Sequence, residues 1–235
     1  NIGLVLGVTA VLTPVFFSYK RISFDLYFLM FITLLPLLFM YLGNLVFWQG
    51  LFFILLLLGY CWQLYNKNKD HKNDDQYNNQ NVEGVFSISV KIILGIVGLG
   101  FGAHLFVIGA KGIALALGVS SLVIGMSIVA LGTSLPELAA SITAAKHNEI
   151  GFVIGNIIGS NIMNIIAVLG FTLLISPISV EFPDVATQGM FMVILTIGLF
   201  LLFKYKGGIT KFYAGIFILI YFLFICFNFQ PGLGI

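Results

Sequence analysis

The stretch Gly132-Thr133-Ser134-Leu135-Pro136-Glu137 decides how this chain folds. It lies in the apolar run 119–146, long enough to cross a bilayer, yet its middle is wrong for a plain spanning helix. Gly132 can end one half-helix, and Pro136 suits the first turn of the next because it has no N–H to satisfy. Ser134 and Glu137 have capping-box spacing. A break at membrane depth leaves backbone groups unpaired, which is allowed only where protein, or a cavity holding water or ions, satisfies them. Ala130, Thr133, Ser134 and Glu137 fall at i, i+3, i+4 and i+7, which is one helical face. A carboxylate in mid-span is costly unless partnered, so Glu137 reads as a functional group. The rival reading, a helix cap alone, needs only an uncharged Ser or Gln.

The rest of the chain sets this break in a membrane. Of 235 residues, 60% are hydrophobic and 9% charged, with a mean hydropathy of +1.08. A water-soluble domain of this length needs a far more polar surface. A net charge of +2 gives no basis for nucleic-acid binding. Cys61 and Cys226 lie in apolar runs without disulfide or metal-ligand spacing. A spanning helix takes about 20 apolar residues. The candidates are 1–17, 25–43, 45–65, 85–109, 119–146, 149–177, 185–203 and 209–228, and runs of this length favour helices over barrel strands. If successive segments cross in alternating directions, Lys20, Arg21, Lys67, Lys69, Lys72, Lys91, Lys146, Lys204, Lys206 and Lys211 share one side, and only Lys111 lies opposite. The positive-inside rule makes the first side cytoplasmic and turns the C-terminus outward.

Residues 65–84 are the one clearly polar stretch and read as a solvated, flexible cytoplasmic linker. The chain on either side is related. Asn1-Ile-Gly-Leu-Val-Leu-Gly-Val-Thr-Ala-Val-Leu-Thr-Pro14 matches Asn164-Ile-Ile-Ala-Val-Leu-Gly-Phe-Thr-Leu-Leu-Ile-Ser-Pro177 at seven of fourteen positions without a gap, at an offset of 163. Gly50-Leu-Phe-Phe-Ile-Leu echoes Gly215-Ile-Phe-Ile-Leu-Ile. Chance similarity between apolar segments is the competing account, but matched Asn and Pro are rare inside membrane helices. The expected division is therefore 1–64, the last three helices of a first repeat; 65–84, the linker; and 85–235, a complete five-helix second repeat. Five segments per unit invert the second unit in the membrane, and inverted repeats place a binding site at the midplane between them. The chain opens inside an apolar stretch, with no leader pattern, so the start of the first repeat is expected upstream.

The segment after the break reads Gly151-Phe-Val-Ile-Gly-Asn-Ile-Ile-Gly-Ser-Asn-Ile-Met-Asn164. Asn156, Ser160 and Asn164 recur every four residues along one face, and Gly155 and Gly159 form a GxxxG that suits close helix packing. Packing alone accounts for the glycines. The oxygens of Ser160 and Asn164, beside a helix bearing a carboxylate, favour ligation. A set of hydroxyl, amide, carboxylate and carbonyl oxygens suits hard cations such as Ca²⁺ or Na⁺.

Gly132 to Glu137 followed by Gly155-Asn-Ile-Ile-Gly-Ser-Asn-Ile-Met-Asn164 resembles the second alpha-repeat of the calcium/cation antiporter superfamily, most of all its bacterial and archaeal sodium/calcium exchangers. Gly102-Ala-His-Leu-Phe-Val-Ile-Gly-Ala110 and Gly118-Val-Ser-Ser-Leu-Val-Ile-Gly125 fit the same family. The resemblance implies an all-α, polytopic inverted-repeat fold of ten helices, about eight of them here, with broken helices at the midplane. It implies a secondary antiporter of Ca²⁺ and Na⁺ in a prokaryotic cell membrane, not an enzyme, with no cofactor besides the transported ions. Carried over by position, Glu137 is a bridging ligand. Thr133, Ser134 and Ser160 supply oxygens, and Ala130 a carbonyl. Asn164, and Asn1 in the other half, take a site that is Asp in some members. Asn in both halves lowers the negative charge. His104 and Ile108 stand where acidic residues are common, and His104 reads as a packed or pore-edge residue. Three other readings stand against it: H⁺-coupled cation exchange; an intramembrane hydrolase using Ser134 and His104, which lacks a nucleophile-elbow spacing and an orienting acid; and a non-transporting scaffold, which has no reason to place a carboxylate in a broken helix.

Overall fold

The computed structural model describes residues 1–71, 85–118, 124–179 and 182–228. Among them, five helices are long and apolar enough to cross a membrane, or six if the bent pair Ser127–Thr133 and Leu135–Lys146 counts as one span. Two shorter apolar helices, Ile2–Leu12 and Lys211–Phe227, join them. The secondary structure is α1 (Gly7–Leu12), β1 (Val15–Phe16), α2 (Tyr19–Leu42), α3 (Phe47–His71), α4 (Val85–Ala116), α5 (Ala130–Thr133), α6 (Leu135–Lys146), α7 (Ile150–Met163), α8 (Leu169–Ile175), α9 (Phe182–Lys206), β2 (Gly208–Ile209) and α10 (Lys211–Asn228). Three π-helical segments, Ile2–Leu6, Gly125–Val129 and Asn164–Val168, run into α1, α5 and α8.

Several helices outrun the apolar runs. α2 begins at Tyr19, not 25, and carries Lys20 and Arg21 in its first turn. Their aliphatic stems can lie along the helix while the charges reach water. α3 continues to His71, so 65–71 of the expected linker are helical, whereas 72–84 lie outside the described residues. α4 runs on to Ala116 through Lys111.

By spatial packing the chain forms two compact units, Asn1–Leu55 with Glu137–Ile235, and Leu56–Pro136. The repeat governs the first. Both copies have a π-helical segment and a short helix that stops at an extended residue, Thr13 in one and Ser176 in the other, 163 positions apart. Thr13 and Ser176 each precede a proline, which disfavours continuing helix. β1 then pairs antiparallel with β2, Val15 opposite Ile209. Ile178, which stands 163 after Val15, bridges Leu45, which stands 163 before Gly208. The long helices that follow, α2 and α9, pack along each other more extensively than any other pair. Each ends at a glycine with positive φ, Gly43 at 149° and Gly207 at 68°. Such backbone is cheap only without a Cβ.

Close approach between the copies also uses matched residues. A Cβ on Gly7 would meet Ile218 Cγ1 at 2.7 Å, and one on Gly170 would meet Ile54 Cδ1 at 3.0 Å. So α1 leans on α10 as α8 leans on α3. Val5, Leu6, Leu29, Ile32, Ile157, Ile162, Ile166 and Phe203 fill the interior of this unit.

The second unit holds the end of α3, then α4, and the first half of the broken span, with α4 packed on Gly125–Val129 and α5. α4 is apolar on all sides, and Ile92, Leu94, Ile96, Phe101 and Leu105 are exposed. A helix with no polar face is a membrane span. His104 is exposed rather than packed.

Candidate cation site

The broken span forms where its sequence demands. Pro136 has no N–H to return to the carbonyl of Gly132, so the helical ladder loses a rung there. The helix nevertheless continues through Gly132 and Thr133, and the two pieces bend by 44° at Ser134. Gly132 is thus not the terminator expected from sequence. A Cβ at Gly132 would run into Val107 of α4, so this glycine is set by packing. The capping box is not made either. Ser134 Oγ donates to the carbonyl of Ala130 at 3.0 Å, and Thr133 Oγ1 donates to the same oxygen at 3.1 Å. Within the second unit, three predicted residues are therefore engaged with one another through one carbonyl. The hydroxyl lone pairs remain available as acceptors.

In the first unit, Glu137 occupies the first turn of α6. Backbone N–H groups at a helix N-terminus favour negative charge there. The residue is half-buried, and its Oε2 is enclosed with no hydrogen-bond partner. Asn1 Nδ2 donates to Ser160 Oγ at 2.9 Å, and that hydroxyl donates to the carbonyl of Ile157 at 3.2 Å. Asn1 Oδ1 is enclosed without a partner as well. Asn1 and Ser160 are thus joined across 159 residues, and Asn1 and Glu137 each keep an enclosed acceptor oxygen without a donor. Enclosed acceptors without donors are costly. Asn164 lies one turn beyond Ser160, at the end of α7, and is exposed. Among the described residues, no three His, Cys, Asp or Glu side chains cluster.

Two residues here carry more weight than sequence spacing alone suggests. Asn156 Nδ2 donates to Ser141 Oγ at 2.9 Å and to the carbonyl of Glu137 at 3.2 Å. Ser141, one turn after Glu137 on the same face of α6, is fully buried. Its signal was the i+4 spacing from the carboxylate.

Fold and site together define an all-helical polytopic membrane protein with an acidic residue at the break of a span. The sodium/calcium exchanger protein family matches residues 88–230, and the chain belongs to that family. It is similar to an uncharacterised membrane protein of Methanocaldococcus jannaschii, 36% identical over 210 residues, covering 88% of this chain and 66% of that protein. It is also similar to the sodium/calcium exchanger MaX1 of Methanosarcina acetivorans, 40% identical over 115 residues, 49% of this chain and 33% of that one. The chain therefore spans just under two thirds of the first relative. Its fold matches the solved sodium-calcium exchanger NCX_Mj with a TM-score of 0.76 and 34% identity, over 96% of this chain and 72% of that one.

Proposed function

We propose that this chain carries one half-site of a secondary active antiporter that exchanges Ca²⁺ against Na⁺ by alternating access. The observation that carries the reading is the enclosed, partnerless carboxylate oxygen of Glu137 at a helix break. A structural carboxylate would have a donor; a transport ligand needs a vacancy that an ion fills and leaves. The names of MaX1 and NCX_Mj support the ion pair. Glu137, Ser160, Asn1 and Asn164 are the proposed ligands carried by the first unit, and Thr133, Ser134 and the Ala130 carbonyl those carried by the second. The repeat division at 64 and 85 belongs to the same reading, with a second Thr-Ser-x-Pro-Glu expected 25 to 30 residues upstream, a cytoplasmic linker and a cell-membrane location. A pair of carboxylates, one per half, can be neutralised by one Ca²⁺ or by two or more Na⁺, and competition for the same oxygens couples the fluxes. The experiment is Ca²⁺ uptake into vesicles under an imposed Na⁺ gradient, with the pH gradient collapsed.

In the second reading H⁺ replaces Na⁺ as the coupling ion at the same carboxylate. Uptake that follows the pH gradient after the Na⁺ gradient is collapsed selects it.

A further inference from the structure

We propose that Asn156 is a positioning residue that holds the carboxylate-bearing turn of α6 in register with Ser160, an inference that rests on the cation-site reading above. Asn156 projects from α7 and spends its amide N–H group on two acceptors of α6, the carbonyl of Glu137 and the hydroxyl of Ser141. The carbonyl of Glu137 points along α6 toward Ser141, so the two acceptors adjoin and form one cradle for the amide; a slide or a rotation of α6 against α7 by about a turn empties it. Ser141 is shut away from solvent, and water cannot replace a lost partner there.

The next turn of α7 carries Ser160, which accepts from Asn1. Four residues of helix rise about 6 Å. The α7 face therefore works as a ruler: one turn fixes the backbone of Glu137 and the following turn fixes Ser160 and Asn1. Asn suits this task because its amide donates without charge. Asp at 156 keeps the shape but loses the donor and sets a second carboxylate against the Glu137 carbonyl. Asn156 acts in this account through its N–H donors, which face α6 and hold it in place.

The test uses the complete exchanger reconstituted in vesicles, with Ca²⁺ uptake measured against Ca²⁺ concentration and the folded transporter in each preparation quantified. The variants are Glu137→Gln, Asn156→Asp, Asn156→Ala and Ser141→Ala. The expected result is a KM for Ca²⁺ raised about tenfold in both Asn156 variants, the loss that one buried hydrogen bond predicts. Turnover per folded transporter stays close to wild type, and the preference between Ca²⁺ and the larger Sr²⁺ shifts. Ser141→Ala, which keeps the bond to Glu137, raises KM less. A packing role alone reduces the amount of folded transporter and leaves KM and ion preference unchanged; that outcome overturns the proposal. If Asn156→Asp is not recovered in the membrane, Asn156→Ala and Ser141→Ala give the same reading. Wild-type flux in Glu137→Gln sinks the cation-site reading itself. An inactive Glu137→Gln beside Asn156 variants of wild-type KM sinks only the positioning role.

Discussion

Thr33 and Thr196 line the same small cavity, and each hydroxyl donates to the carbonyl four residues earlier, Leu29 at 2.7 Å and Met192 at 2.8 Å. The two threonines are 163 positions apart, the offset of the sequence repeat. The other walls of this cavity of about 60 Å³ pair the same way, Met30 with Val193 and Leu34 with Ile197. Equivalent positions gathered round one point are what a two-fold axis produces. β1 before α2 meets β2 after α9, and Leu45 after α2 meets Ile178 before α9, so the two helices run antiparallel and an axis relating them is perpendicular to both. This is the inverted-repeat geometry of the exchanger fold.

Because each hydroxyl is served by its own helix, its removal orphans no group. Thr33→Val and Thr196→Val should each cost less than about 1 kcal/mol, by similar amounts. Denaturation of the purified protein in detergent checks this, and a large loss at one site alone would contradict the symmetry of the interface.

Glu137→Gln should abolish Na⁺-driven Ca²⁺ uptake while the protein inserts and folds as before. The neutral amide keeps the volume, and the break depends on Pro136 rather than on the carboxylate. Flux in vesicles and recovery from membranes are the two measurements, and full flux would remove Glu137 from the site.

Gly7→Ala should destabilise the protein by about 1–3 kcal/mol through overpacking. The new methyl would sit 2.7 Å from Ile218 Cγ1, near the stem of that side chain. Gly170→Ala should cost somewhat less, since its nearest neighbours, Ile54 Cδ1 at 3.0 Å and Phe53 Cβ at 3.1 Å, both lie farther off than Ile218 Cγ1 does from Gly7. Thermal unfolding of the two variants side by side gives the order.

Asn164→Asp should shift preference toward Ca²⁺ over Na⁺ by an amount on the order of tenfold, because an added negative charge attracts a divalent ion twice as strongly as a monovalent one. Its exposed place one turn beyond Ser160 spares the new carboxylate most of the desolvation cost. Ca²⁺ uptake measured at a series of Na⁺ concentrations reads the shift.

The sequence by itself determined the spans, the break and the offset of 163. These are local properties: apolar length, a proline without an N–H, a repeated order of residues. It also marked Glu137, because a carboxylate in an apolar run needs no partner to be conspicuous. The tertiary structure decided what the side chains do. Hydroxyls of Thr133 and Ser134 could have faced an ion or the helix, and the rotamers found in the fold turn both onto Ala130. Asn1 meets Ser160 across 159 residues, and Asn156 reaches back to Glu137 across 19. Periodicity gives the face on which a residue lies, but which turn of one helix meets which turn of another depends on packing. That register sets Asn1 against Ser160 and Asn156 against the Glu137 backbone, and no local rule in the sequence contains it.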